Sequence, residues 1–234
     1  MTQQVPDEGV LNAKLESFFR TSDSRWVNLF RNSMGSVDTI RKQHARKLHA
    51  RFPLISHIEQ CTPSGGSILE TGAGTGAISL YLSQQGYQSS TLEKDPDMIK
   101  LSELLQEVIG GQSSRYQGCM TQLPFAEKSF DTVFNHGVLE YFNEEAVINV
   151  IREQLRVASY FVFAVPTNLN HALYIEDCEN LWSYAKWKKL IRESGATLVE
   201  SFSFFSYRRF REALNRLLGM KMQHISPGAG FVLK

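Results

Sequence analysis

The sequence predicts an α/β fold, a doubly wound and mostly parallel sheet behind an N-terminal helical cap, and three observations carry this. Past residue 66, short strand-like apolar segments alternate with segments of helical periodicity, the order that builds a parallel sheet with helices on both faces. A glycine-rich turn, SILETGAGTG at residues 67–76, joins the first of those strands to the next helix. Ahead of it, residues 1–60 carry helical stripes.

In the cap, Leu11, Leu15, Phe18 and Phe19 fall on one helical face, and Val37, Ile40, His44 and Leu48 on another. Both stripes need something to cover. The second helix continues as RKQHARKLHAR over residues 41–51, with five basic residues and no acid. Three readings stay open for it: a phosphate-binding face, a solvated outer face, or an arginine folded inward onto a carboxylate. Trp26 and Phe30 belong to the same helical region, which is expected to act as a lid.

The remainder, 61–234, is the sheet domain. Strands are expected at 67–70, 89–93, 114–119, 131–135, 159–165, 197–204 and 230–233. Asp95-Pro96-Asp97 reads as an N-cap, a proline at the first helical position and a first-turn acid, with Gly110-Gly111 as the stop. Asn143 starts another helix in the same way. Segment 181–194 reads as a helix ending at Gly195, and 207–218 as one ending at Gly219, the latter inside a helical insertion near 206–226.

Composition narrows the function classes. With 234 residues the chain suits one domain plus an appendage, and 42% hydrophobic with 21% charged residues is a globular balance. A net charge of +1 supplies no global field for polyanions, so a general nucleic-acid binder is not expected. Cys61, Cys119 and Cys178 form no disulfide or metal-ligand pattern. The start MTQQVPDEGV lacks a signal-peptide profile and no apolar run reaches membrane-span length, so the cytoplasm is the expected compartment and no membrane partner is expected.

Gly72, Gly74 and Ala77 satisfy the loose dinucleotide fingerprint G-x-G-x-x-G/A, whose missing side chains let a ligand reach the backbone. A dinucleotide would set its pyrophosphate on the following helix N-terminus. S-adenosylmethionine carries cationic groups instead, and Glu70 beside the loop would favour those. Past the second strand, TLEKD offers Glu93 to ribose hydroxyls, while Asp95 is the helix cap. An acid there does not by itself separate NAD from S-adenosylmethionine.

Taken with GCMTQLPFAEKSFDTVFNHGVLEYF at residues 118–142, the ETGAGTG and TLEKD motifs closely resemble the class I S-adenosylmethionine-dependent methyltransferases, over roughly residues 66–166. The LPF, SFD and VLEYF series is similar to the small-molecule branch. The resemblance implies a Rossmann-like seven-stranded sheet with an antiparallel last strand, and S-adenosylmethionine as cofactor. By position it places Glu70, Gly72, Ala73 and Gly74 around the methionine part, Glu93 with Lys94 at the ribose, Cys119, Met120 and Thr121 beside the adenine, and Asn135 and His136 by the sulfonium. Two departures stand out: Cys119 replaces a common Asp, and Tyr141 a frequent His.

Methyl transfer to a nitrogen or oxygen of a small molecule is the expected reaction, with no metal. His136 leads as proton acceptor, Asn135 and Tyr174 are further catalytic candidates, and His171 and Tyr141 come behind. Segment PTNLNHALYIEDCENLWSYAKW, residues 166–187, has the aromatic content of a substrate cover, in which Tyr174, Trp182 and Tyr184 could face a ligand or serve as core anchors. The amino-methylating D/N-P-P-Y/F motif, the P-C nucleophile and the paired-glutamate loop of arginine methyltransferases are all missing. Six basic residues against Glu212 within 201–234 keep a phosphorylated or nucleic-acid acceptor open. A lyase that closes the cofactor's own aminobutyryl chain and releases methylthioadenosine is the alternative chemistry, and a silent cofactor-binding protein a third reading.

Overall fold

The computed structural model describes residues 7–168, 180–204 and 228–234. Four helices come first, α1 (Glu8–Thr21), α2 (Arg25–Met34), α3 (Val37–Ala50) and α4 (Phe52–Cys61). Alternation follows: β1 (Ser67–Thr71), α5 (Ala77–Gln84), β2 (Gln88–Glu93), α6 (Pro96–Ile109), β3 (Ser114–Gln117) and β4 (Phe130–His136). Then come a 3₁₀ turn (Leu139–Tyr141), α7 (Glu144–Val157), β5 (Ala158–Pro166), α8 (Tyr184–Ser194), β6 (Leu198–Phe204) and β7 (Gly228–Leu233). The strands form one seven-stranded sheet in the order β3-β2-β1-β4-β5-β7-β6. β1 with β2, β2 with β3, and β4 with β5 pair in parallel, whereas β7 runs antiparallel to β5 and β6. This is the doubly wound sheet with a reversed last strand that the sequence implied.

Local chemistry explains the element ends. Asp95 caps α6 by accepting from the Asp97 amide at 2.9 Å, and Asn143 caps α7 by accepting from Ala146 at 2.9 Å. Gly110 and Gly195 end α6 and α8 at φ 79° and 84°, a region that favours glycine. Several boundaries differ from expectation by one to three residues, and two of the differences concern candidate residues. Ser183 caps α8 by accepting from the Lys186 amide at 3.2 Å, so the helix starts at Tyr184 and Trp182 stays outside it. β3 stops at Gln117 rather than residue 119, and Cys119 is exposed. The helix expected at 207–218 lies outside the described residues. No helix among the described residues is long and apolar enough to cross a membrane.

The chain groups into two compact units, Met1–His49 with Ser64–Cys119, and Ala50–Pro63 with Met120–Lys234. In the first, Leu11, Leu15 and Phe19 of α1, Val27 of α2, and Val37 and Ile40 of α3 share a core with Leu80 of α5 and Met98, Leu101, Leu105 and Val108 of α6. The helical stripes thus cover α6, and each fully buried aliphatic or aromatic side chain contributes about 1.5–3 kcal/mol. In the basic helix, Arg41 pairs at the surface with the Glu8 carboxylate and donates from Nε to the Val108 carbonyl at 3.1 Å. Polar ties fasten the α1–α2 turn to the start of α6, Ser22 Oγ donating to Asp97 at 2.6 Å and Ser24 Oγ to Asp95.

The second unit is built on aromatic packing. Phe163 of β5 lies 5.1 Å from both Phe161 and Phe231 of β7, and 5.9 Å from the fully buried Trp187 of α8. Val147, Val150, Ile151 and Val157 of α7 complete its buried layer.

Candidate active site

β1 ends in the glycine loop, where Gly72, Gly74 and Gly76 all adopt positive φ, at 63°, 54° and 63°. The loop is pinned to the end of β2: Gly72 and Ala73 amides donate to the Leu92 carbonyl at 2.9 and 3.2 Å. Its glycines do different work. A Cβ on Gly76 would lie 2.9 Å from Ser102 Oγ and 3.4 Å from Thr91, so this glycine lets α5 pack against β2 and α6. At Gly74 the nearest atom to such a Cβ is Met98 Cε at 3.6 Å, which leaves that face of the loop open to a ligand.

Glu70 is 5% exposed, and its Oε2 accepts from the Ser79 amide in the first turn of α5 at 3.2 Å. Gly76, the N-cap of α5, has no side-chain cap, so the Glu70 carboxylate takes that part. A negative charge therefore stands on the helix end where a pyrophosphate would bind. Phosphate is disfavoured there and a cationic group is favoured.

Glu93 closes β2 with its carboxylate fixed by three amides: Gly74 at 2.8 Å on Oε2, and Lys94 at 2.7 Å and Asp95 at 3.0 Å on Oε1. A carboxylate offers about four lone-pair sites, so one remains for a hydroxyl, in the orientation these amides impose. Cys119 is exposed on the same unit. The loop, Glu70 and Glu93 thus fit a cationic, ribose-bearing cofactor.

In the second unit Met120 is buried, its carbonyl accepting from Gln154 Nε2 at 2.9 Å, and Thr121 is exposed. At the end of β4, Asn135 is fully buried, and neither its Oδ1 nor its Nδ2 has a hydrogen-bond partner among the described residues. Such orphaned buried groups are rare in folded proteins and often face a ligand. His136 follows; burial first, and then the Arg51 guanidinium, push its pKa down to about 3, so the imidazole is uncharged at neutral pH. A weak base is the result.

Sequence reasoning did not single out Glu140. It is 4% exposed on the 3₁₀ turn, its Oε2 has no partner among the described residues, and burial pushes its pKa up to about 8 against an opposing hydrogen bond from its own backbone. The signal available in the sequence was an acid set among the apolar residues of VLEYF.

The described part of the proposed substrate cover is anchored inward. Asn180 Nδ2 donates to the Phe142 carbonyl at 2.7 Å, Trp182 lies 4.9 Å from Trp187, and Tyr184 stacks 5.5 Å from Phe231. The cations over Trp182 and Tyr184 are the chain's own Lys186 and Lys188, at 6.0 and 5.6 Å. Tyr174 and His171 lie outside the described residues. Two open grooves, of about 560 Å³ along α8 and β6 and about 710 Å³ between α1 and α6, are lined by none of the loop glycines.

Residues 69–163 match the family model described as a methyltransferase domain. Among curated proteins, an uncharacterized Bacillus subtilis methyltransferase, YodH, is 23% identical over 62% of this chain and 66% of its own length. An uncharacterized Mycobacterium methyltransferase is 30% identical over 49% of this chain and 48% of its own. The chain therefore spans 48% to 66% of the length of these relatives. Among solved structures, the complex of the Haloferax volcanii Trm112 methyltransferase activator with a methyltransferase superposes with a TM-score of 0.62 at 17% identity, covering 98% of both chains. Synechocystis magnesium protoporphyrin IX methyltransferase with bound S-adenosylmethionine gives 0.56 at 14% identity, covering 100% and 99%. Residues 69–163 are thus similar to a methyltransferase domain, and the fold as a whole is similar to that of these solved methyltransferases.

Proposed function

We propose that this chain transfers the methyl group of S-adenosylmethionine to a nitrogen or oxygen of a small molecule. The observation that carries the reading is the Glu70 carboxylate on the N-terminus of α5, which suits a cationic cofactor and opposes the phosphates of a dinucleotide. In this reading Gly72, Ala73 and Gly74 present backbone to the methionine part, Glu93 with Lys94 beside it receives the ribose, and Cys119, Met120 and Thr121 flank the adenine. Residues 1–60 serve as the cap and 61–234 as the cofactor-binding domain.

When bound, S-adenosylmethionine supplies a methyl group already activated by a positive sulfur. What is left to the chain is to hold the nucleophile in line and to keep water out, an effect worth about 7–11 kcal/mol in favourable cases. Asn135, with an unpaired donor and acceptor, can orient the nucleophile. His136, uncharged at neutral pH, can accept a hydrogen bond without repelling a cationic donor. Tyr174 is assigned to the substrate cover. A small acceptor is favoured by the missing nucleic-acid and arginine methyltransferase motifs.

The test is incubation of the purified protein with S-adenosylmethionine, alone and with a panel of amines, phenols and carboxylates, read by mass spectrometry. Acceptor-dependent S-adenosylhomocysteine supports the proposal. Methylthioadenosine formed from S-adenosylmethionine alone would establish ring-closing lyase chemistry instead, and lack of S-adenosylmethionine binding by calorimetry would overturn both.

A further inference from the structure

Glu140 is buried on the 3₁₀ turn that follows β4. Gly137, at φ 68°, turns the chain out of β4 while its amide donates to the Ala164 carbonyl of β5 at 2.9 Å. The 3₁₀ turn then folds the Glu140 carboxyl back, so that a Cβ on Gly137 would lie 3.4 Å from Oε1. Oε2 is left buried and unpaired. Five residues earlier on the same strand end, Asn135 is fully buried with both amide atoms unpaired. Two orphaned polar side chains so close in sequence at the C-terminal end of a sheet strand, where ligands bind in such folds, point to a bound group that completes them.

We propose that Glu140 takes the proton of the methyl acceptor through Oε2. This rests on the methyl-transfer reading above. In the step, the nucleophile's N–H or O–H bond breaks and its proton passes to Oε2. A bond forms from the nucleophile to the methyl carbon, and the carbon–sulfur bond breaks with its electron pair left on sulfur. Glu140 must therefore be ionised when the acceptor is engaged, although burial keeps it largely protonated in the free protein. The positive charge of a bound methyl donor is what this proposal requires to bias Glu140 toward the carboxylate. Among the described residues, the titratable groups on the neighbouring elements are Asp131 and His136 of β4, Tyr141 of the same turn and Tyr160 of β5, and none of them is among the causes of the Glu140 shift. His136, pushed down in proton affinity, suits the task less well.

Calorimetry at pH 7 in two buffers of different ionisation enthalpy tests this without an identified acceptor, with S-adenosylmethionine and the uncharged-sulfur S-adenosylhomocysteine as probes. Wild type should release more than about half a proton beyond Glu140→Gln on binding S-adenosylmethionine, and no such excess with S-adenosylhomocysteine. Equal release by both proteins overturns the inference. Glutamine matches the protonated side chain in size and neutrality, so the variant should fold. Carboxyl titration of ¹³C-glutamate-labelled wild type, with and without S-adenosylmethionine, gives the same answer without a variant: an unmoved Glu140 resonance overturns the inference. Failure of wild type to bind S-adenosylmethionine sinks the methyl-transfer reading first and this one with it.

Discussion

The Gly74 amide donates to the Glu93 carboxylate at 2.8 Å, tying the glycine loop to the end of β2 within one unit. The acid proposed for the ribose thus also shapes the loop proposed for the methionine part. Glu93→Ala should reduce S-adenosylmethionine affinity at least about tenfold, because it removes a charged acceptor and frees three amides together. Gly74→Arg should do the same by filling the open face of the loop. Calorimetric affinities unchanged in both variants would remove S-adenosylmethionine from this site.

Gly111 is a structural control away from the ligand face. At φ 84°, a Cβ there would lie 2.3 Å from the Leu80 carbonyl. Gly111→Ala should cost about 2–3 kcal/mol in chemical denaturation while the folded fraction binds S-adenosylmethionine as wild type does. A stability loss below about 0.5 kcal/mol would show that the backbone there relaxes freely.

Ser24 has two roles, accepting from the Val27 amide as the N-cap of α2 and donating to Asp95 at the start of α6. Ser24→Ala should destabilise by about 1–2 kcal/mol. Since Asp95 also donates its amide to Glu93, S-adenosylmethionine affinity should weaken as well, by less than in Glu93→Ala. An intact affinity in Ser24→Ala would separate the α1–α2 turn from the cofactor site.

Two groups at the end of β4 should set the pH limits of stability. Glu140 has a folded pKa of about 8, raised above its ordinary 4.5, so its contribution is full below 4.5 and is lost as pH rises through 8. At about 1.4 kcal/mol per pKa unit, the alkaline loss approaches about 5 kcal/mol. His136 works in the opposite sense: its pKa is lowered from 6.5 to about 3, so its contribution is full above 6.5 and is lost as pH falls through 3. Urea denaturation across pH 3–9 should show Glu140→Gln flattening the alkaline limb and His136→Asn the acid limb. Unaltered limbs in the variants would mean that these groups titrate as they do in the unfolded chain.

What the sequence by itself determined is what local rules govern. Strand and helix order followed from hydrophobic period, the α6 and α7 starts from Asp95 and Asn143, and the α6 and α8 ends from glycines whose left-handed backbone needs no side chain. Glu70, Gly74 and Glu93 were legible as candidates because they stand at or just past strand ends. Only the packing of other elements shows that Gly76 is closed in by Ser102 and Thr91 whereas a Cβ on Gly74 would meet Met98 at 3.6 Å. The same holds for the Arg41–Glu8 pair, for the N-terminal stripes resting on α6, and for the burial that raises the proton affinity of Glu140 and lowers that of His136. The physical reason is shared: close packing, burial and the desolvation that shifts a pKa are properties of neighbours brought together by the fold, which spacing along the chain does not record.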